Sequence, residues 1–136
     1  MRILIVEDDY TSGILLKKYL ADYGDCTVAT DGEEAIQLFK TAVKEKATFD
    51  LVCLDIMLPK VDGQEVLKEI RMIEGAQKLR GSEEAKVIMT TALSDPQNII
   101  TSFREQCEGY LTKPIKKVQL LQEMAKLGLI EEDHPT

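Results

Sequence analysis

Leu51-Val52-Cys53-Leu54-Asp55-Ile56-Met57-Leu58-Pro59 is the stretch on which the reading of this chain turns. A run of four apolar residues is short for a helix and suits a strand covered on both faces. An acid then stands at the end of that strand, in an otherwise apolar setting. A second run, Ile3-Leu4-Ile5-Val6, ends the same way in Glu7-Asp8-Asp9. A third, Gly109-Tyr110-Leu111-Thr112, leads into Lys113-Pro114. Ligands of open parallel sheets bind outside the carboxyl ends of the strands. If these runs are parallel neighbours, acids and a lysine gather there, a setting for a divalent cation and a phosphoryl group.

Working outward, five apolar runs (3–6, 26–29, 51–54, 86–90 and 109–112) alternate with five helix-like segments. The expected buried helix faces are Ile14, Leu15, Tyr19 and Leu20; Ala35, Ile36, Phe39 and Val43; Val66, Leu67, Ile70 and Ile73; Ile99, Ile100, Phe103 and Cys107; and Leu120, Leu121, Met124 and Ala125. Asp31 with Glu34 resembles a capping box, and Asp95-Pro96 pairs an N-cap acid with a proline at the first helical position. Repeated strand–helix units imply an α/β fold, a parallel sheet with right-handed crossovers and helices on both faces. Residues 74–85 read as a helix end plus a solvated loop, and residues 128–136 as a flexible tail.

The bulk properties narrow the function. The chain has 136 residues, enough for one compact domain, and a formal net charge of −7. It carries no basic block, which argues against direct nucleic-acid binding. It has no apolar run long enough to span a membrane, and its first residues lack a signal-peptide layout. Cys26, Cys53 and Cys107 show no metal-ligand spacing and fit reduced thiols in the cytoplasm. The single histidine, His134, sits in the acidic tail, so any phosphohistidine donor is expected in another protein.

The groups at the strand ends each suit a task. Clustered carboxylates repel, and a hard cation such as Mg²⁺ relieves that repulsion through oxygen ligands. A carboxylate such as Asp55 can act as a nucleophile toward phosphorus. Phosphoryl transfer needs positioning and positive charge, which Lys113 supplies, while the Thr91 hydroxyl offers a hydrogen bond. Taken singly, Asp9 is also an ordinary helix cap, Thr91 an ordinary strand residue, and Lys113 an ordinary surface lysine.

Together, Ile3-Leu4-Ile5-Val6-Glu7-Asp8-Asp9, Leu54-Asp55-Ile56-Met57-Leu58-Pro59 with Asp62-Gly63, Thr91-Ala92, Gly109-Tyr110 and Lys113-Pro114 resemble the response-regulator receiver family, CheY-like regulators included. The resemblance implies a flavodoxin-like (βα)5 doubly wound sheet, strand order 2-1-3-4-5, over residues 1–127. It makes Asp55 the phospho-acceptor and Asp8 a direct Mg²⁺ ligand. Glu7 is then the accompanying acid, and Met57 a ligand through its backbone carbonyl. Thr91 and Tyr110 match the switch pair, Lys113 the phosphate-pairing lysine, and Lys113–Pro114 a peptide that is commonly cis. Asp9 lies beyond the matched acids.

The implied function is a stand-alone response regulator, a signalling domain that assists its own phosphorylation and dephosphorylation rather than an enzyme acting on other substrates. It takes a phosphoryl group from a sensor histidine kinase or phosphotransfer protein and signals through the surface at roughly 96–127, in chemotaxis or a phosphorelay. The alternative is a receiver-fold binding module that works without phosphorylation. An aspartyl-phosphate hydrolase of small substrates, with D-x-D-x-T at its nucleophile, would need a second acid where Met57 stands. A flavodoxin-like nucleotide binder would need a glycine-rich loop after the first strand. Two departures from the family pattern are the long segment before the fourth run and the apolar pair Met57 and Leu93. At positions that influence the hydrolytic water, that pair implies a long-lived aspartyl phosphate.

Overall fold

The computed structural model describes residues 1–92, 101 and 106–131. Five strands, β1 (Arg2–Val6), β2 (Asp25–Ala29), β3 (Leu51–Asp55), β4 (Lys86–Thr91) and β5 (Gly109–Thr112), form one parallel sheet in the order β2-β1-β3-β4-β5. Four α-helices are bounded within the described residues, α1 (Tyr10–Leu20), α2 (Gly32–Lys44), α3 (Gly63–Ala76) and α4 (Lys117–Lys126), with a short 3-10 turn at Gly81–Glu83. The expected flavodoxin-like architecture and strand order are therefore present. The segment with Asp95-Pro96, Ile99, Ile100 and Phe103 lies outside the described residues, as do Leu93 and His134.

Strand alternation explains why the apolar runs are continuous. Ile3, Ile5, Leu51, Cys53 and Ile88 point to one side and pack with Leu16, Leu20, Leu120 and Met124 of α1 and α4. Leu4, Val6, Val52, Leu54, Val87 and Met89 point to the other, against Phe39, Leu67 and Ile70 of α2 and α3. Both faces are covered, so the central stretches of β1, β3 and β4 are apolar, whereas the edge strand β2 admits Thr27. Burial also pushes the Cys53 thiol up to about 12 and that of Cys107 to about 11. All three cysteines are free.

The face expected for α1 needs correction. Gly13, Leu16 and Leu20 are buried, whereas Ile14 and Leu15 are 38% and 41% exposed. Apolar residues fill so much of this helix that periodicity alone does not fix its rotation. The buried line runs through Gly13, Leu16 and Leu20, so α1 turns its smallest residue toward Val28 and Glu7 and leaves two large apolar side chains outside. The other faces agree better, with Ala35, Phe39 and Val43, then Val66, Leu67 and Ile70, then Leu120 and Met124 buried.

Three aspartates start helices by accepting backbone N–H bonds, Asp9 from Ser12, Asp31 from Glu34 and Asp62 from Glu65. The Glu34 carboxylate reaches back to the Thr30 N–H, one residue before the cap. At the far end, Gly128 has φ +76°, and Leu129 N–H bonds back to the Met124 carbonyl. This turn lays Leu129 and Ile130, which the sequence places in the tail, against the core beneath α1 and α4.

Gly63 joins β3 to α3. Its N–H donates to the Ile56 carbonyl at 2.9 Å, and a Cβ here would overlap the Asp55 carbonyl oxygen and the Ile56 backbone. Backbone cannot yield as a side-chain tip can. Gly63→Ala is therefore expected to lower stability by about 3 kcal/mol, read as a fall in the urea midpoint. An unchanged midpoint would show that α3 has room to move off β3.

Candidate functional site

The carboxyl ends of β1, β3 and β5 deliver the site. After Val6 the backbone continues its ladder for one more bond, Glu7 N–H to the Ala29 carbonyl at 3.0 Å. That holds the Glu7 carboxylate inside the sheet edge, where the residue is 2% exposed. Asp55 is the last residue of β3 and 3% exposed, and Ile56 N–H still bonds the Thr90 carbonyl at 3.0 Å. Lys113 follows β5, anchored by its own N–H to the Thr91 carbonyl at 2.7 Å. The Lys113–Pro114 peptide is cis, as the resemblance implies.

These anchors aim one ammonium between two buried carboxylates. Lys113 Nζ donates to Glu7 Oε2 at 2.7 Å and to Asp55 Oδ2 at 2.9 Å. The second oxygen of each acid takes a backbone donor: Asp9 N–H to Glu7 Oε1 at 3.1 Å, and Met57 N–H to Asp55 Oδ1 at 3.1 Å. Burial, and then the Asp55 charge, hold the Glu7 carboxyl above its ordinary range against the opposing pull of Lys113. Burial pulls the Lys113 ammonium down, yet its hydrogen bonds to Glu7 and Asp55 and their charges together leave it above its usual value.

Asp8 is exposed and completes a group with Glu7 and Asp55 whose ligand oxygens all lie within 4.8 Å of one another. Three carboxylates then face one ammonium, which leaves two negative charges to be met. The donors are all oxygen and one of them opens to solvent. That set fits a hard divalent cation such as Mg²⁺ and has none of the nitrogen or sulfur that zinc sites favour.

The remaining expected residues fall around this centre. Thr91 is fully buried at the end of β4, paired in register with Thr112. Tyr110 pairs with Met89 and packs against the α2–α3 core. By alternation Thr91, Met89 and Tyr110 share that side of the sheet. The Met57 side chain is 61% exposed at the lip. Asp9 turns away to cap α1, with Ser12 holding its carboxyl below the ordinary range.

One feature escaped the sequence reading. Tyr10, Ile14 and Leu15 are exposed on α1, and a cleft of about 340 Å³ beside the site is lined by Leu15, Leu16, Pro114 and Ile115 together with Glu7 and Lys113. The signal was the surplus of apolar residues on α1, more than one buried face can use.

Comparison with known proteins agrees with this geometry. The family model described as the response regulator receiver domain matches residues 3–125. The chain is 36% identical over 128 residues to the regulatory protein VanRB of Enterococcus faecalis, covering 93% of this chain and 52% of that protein. It is 33% identical over 121 residues to the transcriptional regulatory protein RprY of Bacteroides fragilis, covering 88% and 46%. The chain thus spans about half the length of these curated relatives. Among solved structures, a chain of the CheX–CheY–BeF3–Mg²⁺ complex from Borrelia burgdorferi superposes with TM-score 0.78 at 27% identity, covering 94% of this chain and 89% of that one. A CheY-like receiver domain from Methanospirillum hungatei gives 0.76 at 26% identity, covering 94% and 92%. With its site, sheet order and family match in agreement, the chain belongs to the response regulator receiver domain family.

Proposed function

We propose that this chain is a phosphorylation switch: Asp55 accepts a phosphoryl group from a phosphohistidine on a sensor kinase or phosphotransfer protein. The observation that carries the reading is the Lys113 ammonium bonded at once to Glu7 and Asp55, beside a third acid. An Asp55 oxygen attacks phosphorus, the N–P bond breaks, and the imidazole nitrogen of the donor keeps the bonding electrons. The product is an acyl phosphate on Asp55. Lys113 is already in place to pair with the added charge, so little reorganisation is needed as that charge arrives. Glu7, Asp8, Asp55 and the Met57 carbonyl would hold Mg²⁺, which offsets the surplus negative charge when bound.

Thr91 and Tyr110 form the switch in this reading. Their common side of the sheet supports it: a Thr91 hydroxyl drawn toward the phosphoryl group vacates volume next to the Tyr110 ring. The change then reaches a target protein through β5, α4 and the part of the 96–127 surface beyond the described residues. The exposed Tyr10, Ile14 and Leu15, with the apolar cleft beside Lys113, offer the donor protein a surface within reach of Asp55. Three free cysteines fit a cytoplasmic setting. The proposal concerns the receiver unit, and stand-alone operation stays an expectation of the sequence.

Beryllofluoride with Mg²⁺ is expected to shift the amide NMR spectrum, with the largest changes at Thr91, Tyr110 and Lys113. Asp55→Asn should abolish the shift. A response that survives in Asp55→Asn points to a binding module that works without phosphorylation. Lys113→Met leaves two buried carboxylates without their cation. A fully buried pair broken this way loses about 3–5 kcal/mol, and partial solvent access at Lys113 reduces this to about 2 kcal/mol. Urea unfolding should show that loss, with Mg²⁺ recovering more stability in the variant than in the parent. Equal gains in both would place the cation elsewhere. Finally, Met57→Asn should speed loss of the aspartyl phosphate, followed by release of inorganic phosphate, because it puts a polar group at the lip of the site. An unchanged rate would mean that Met57 does not limit the hydrolytic water.

A further inference from the structure

A second polar network lies at the opposite end of the sheet from Asp55. Its hub is Arg71 in α3. Nη1 donates to Glu74 Oε1 at 2.7 Å and to the Ala85 carbonyl at 2.9 Å. Nε and Nη2 grip the Gln106 carbonyl at 3.0 and 2.7 Å. Nη2 also reaches Glu108 Oε1 and Oε2 at 2.7 and 2.9 Å. Every N–H of the guanidinium is engaged. The two acids are engaged as well, since Glu74 Oε2 accepts from Ala85 N–H and Glu108 Oε2 from Val87 N–H, each at 2.7 Å.

The groups so joined are the entrances of two strands. Ala85 and Val87 flank the start of β4, and Gln106 and Glu108 precede β5. Gln106 has φ +71°, a conformation that disfavours residues with a Cβ, so its carbonyl is aimed at Arg71 against the intrinsic preference of the backbone. The segment at 74–85 acquires a task here: Glu74, 1% exposed, is the last buried residue of α3 and braces Arg71 while bonding the chain as it enters β4.

β5 pairs only with β4 among the described strands and is four residues long, about 13 Å. Lys113 leaves its other end. A short strand does not stretch, so displacement of its entry along the axis is passed to its exit. We propose that Arg71 is a positioning residue for the phosphoryl site: by fixing the entry of β5 against β4 and α3, it sets where Lys113 stands between Glu7 and Asp55. The inference rests on the phospho-acceptor reading for its consequence but not for its geometry. Lysine has three donors on a single nitrogen and cannot span four partners in this fork.

The test uses the full chain as parent, Arg71→Lys, Glu108→Gln and Val43→Ala. The last is a core truncation in α2, outside the Arg71 hydrogen-bond network, that controls for lost stability. All are compared at a temperature where each is folded. In the absence of any ligand, hydrogen exchange of the Lys113 amide, which bonds the Thr91 carbonyl, should accelerate in Arg71→Lys and Glu108→Gln. It should accelerate less in Val43→Ala at equal loss of global stability. In the second arm, Mg²⁺-dependent beryllofluoride affinity should fall on the order of tenfold or more in the two network variants, the scale expected when a reacting group is misplaced by a fraction of an ångström. The control should keep parental affinity. If the network variants track Val43→Ala in both arms, or if Glu108→Gln alone survives folding and leaves the Lys113 amide unchanged, Arg71 only stabilises the fold and the proposal is overturned. A parent that takes up no beryllofluoride overturns the phospho-acceptor reading, and the exchange arm still decides the positioning role.

Discussion

One ammonium between two buried carboxylates governs this molecule. Glu7 and Asp55 are nearly without solvent, and charges so placed are tolerated only when countered. Lys113 counters them from a point 106 residues beyond Glu7 in sequence and 58 beyond Asp55. Convergence of that kind requires β1, β3 and β5 to end on one edge, which a parallel sheet guarantees and an antiparallel one does not. The crossovers, the doubly covered strands and the helix caps all serve that edge.

The same arrangement keeps the site short of positive charge. With Asp8 nearby, the acids outnumber the lysine, and the imbalance is what makes the edge receptive. A site neutralised in advance would gain little from a cation. This one retains an unmet field directed at solvent, which in the proposed function receives a cation and a donor's phosphoryl group.

Much of this was legible in the order of residues. Continuous apolar runs ending in Asp55, in Glu7-Asp8-Asp9 and in Lys113-Pro114 disclosed both the sheet and its working edge, because burial on two faces leaves polar residues only at strand ends. Asp9 illustrates the limit. Its position beside two site acids made its role ambiguous, and only its bond to Ser12 shows it serving α1 instead. The rotation of α1 was hidden because Ile14, Leu15 and Leu16 are equally apolar, and of the three only Leu16 is buried. Glu74 fell in the segment read as a helix end and solvated loop, and Arg71 drew no reading, since nothing in the spacing of residues 71, 74, 85, 106 and 108 announces that they meet.

The sheet also divides the interior into two apolar layers that share no side chain. Residues that face different layers are insulated by a plane of backbone, and substitutions without common neighbours act nearly independently. A lineage can therefore remodel the layer under α1 and α4 while the layer under α2 and α3 drifts on its own schedule. Modular inheritance of that sort needs no second domain; five strands of carbonyl and amide suffice as the partition.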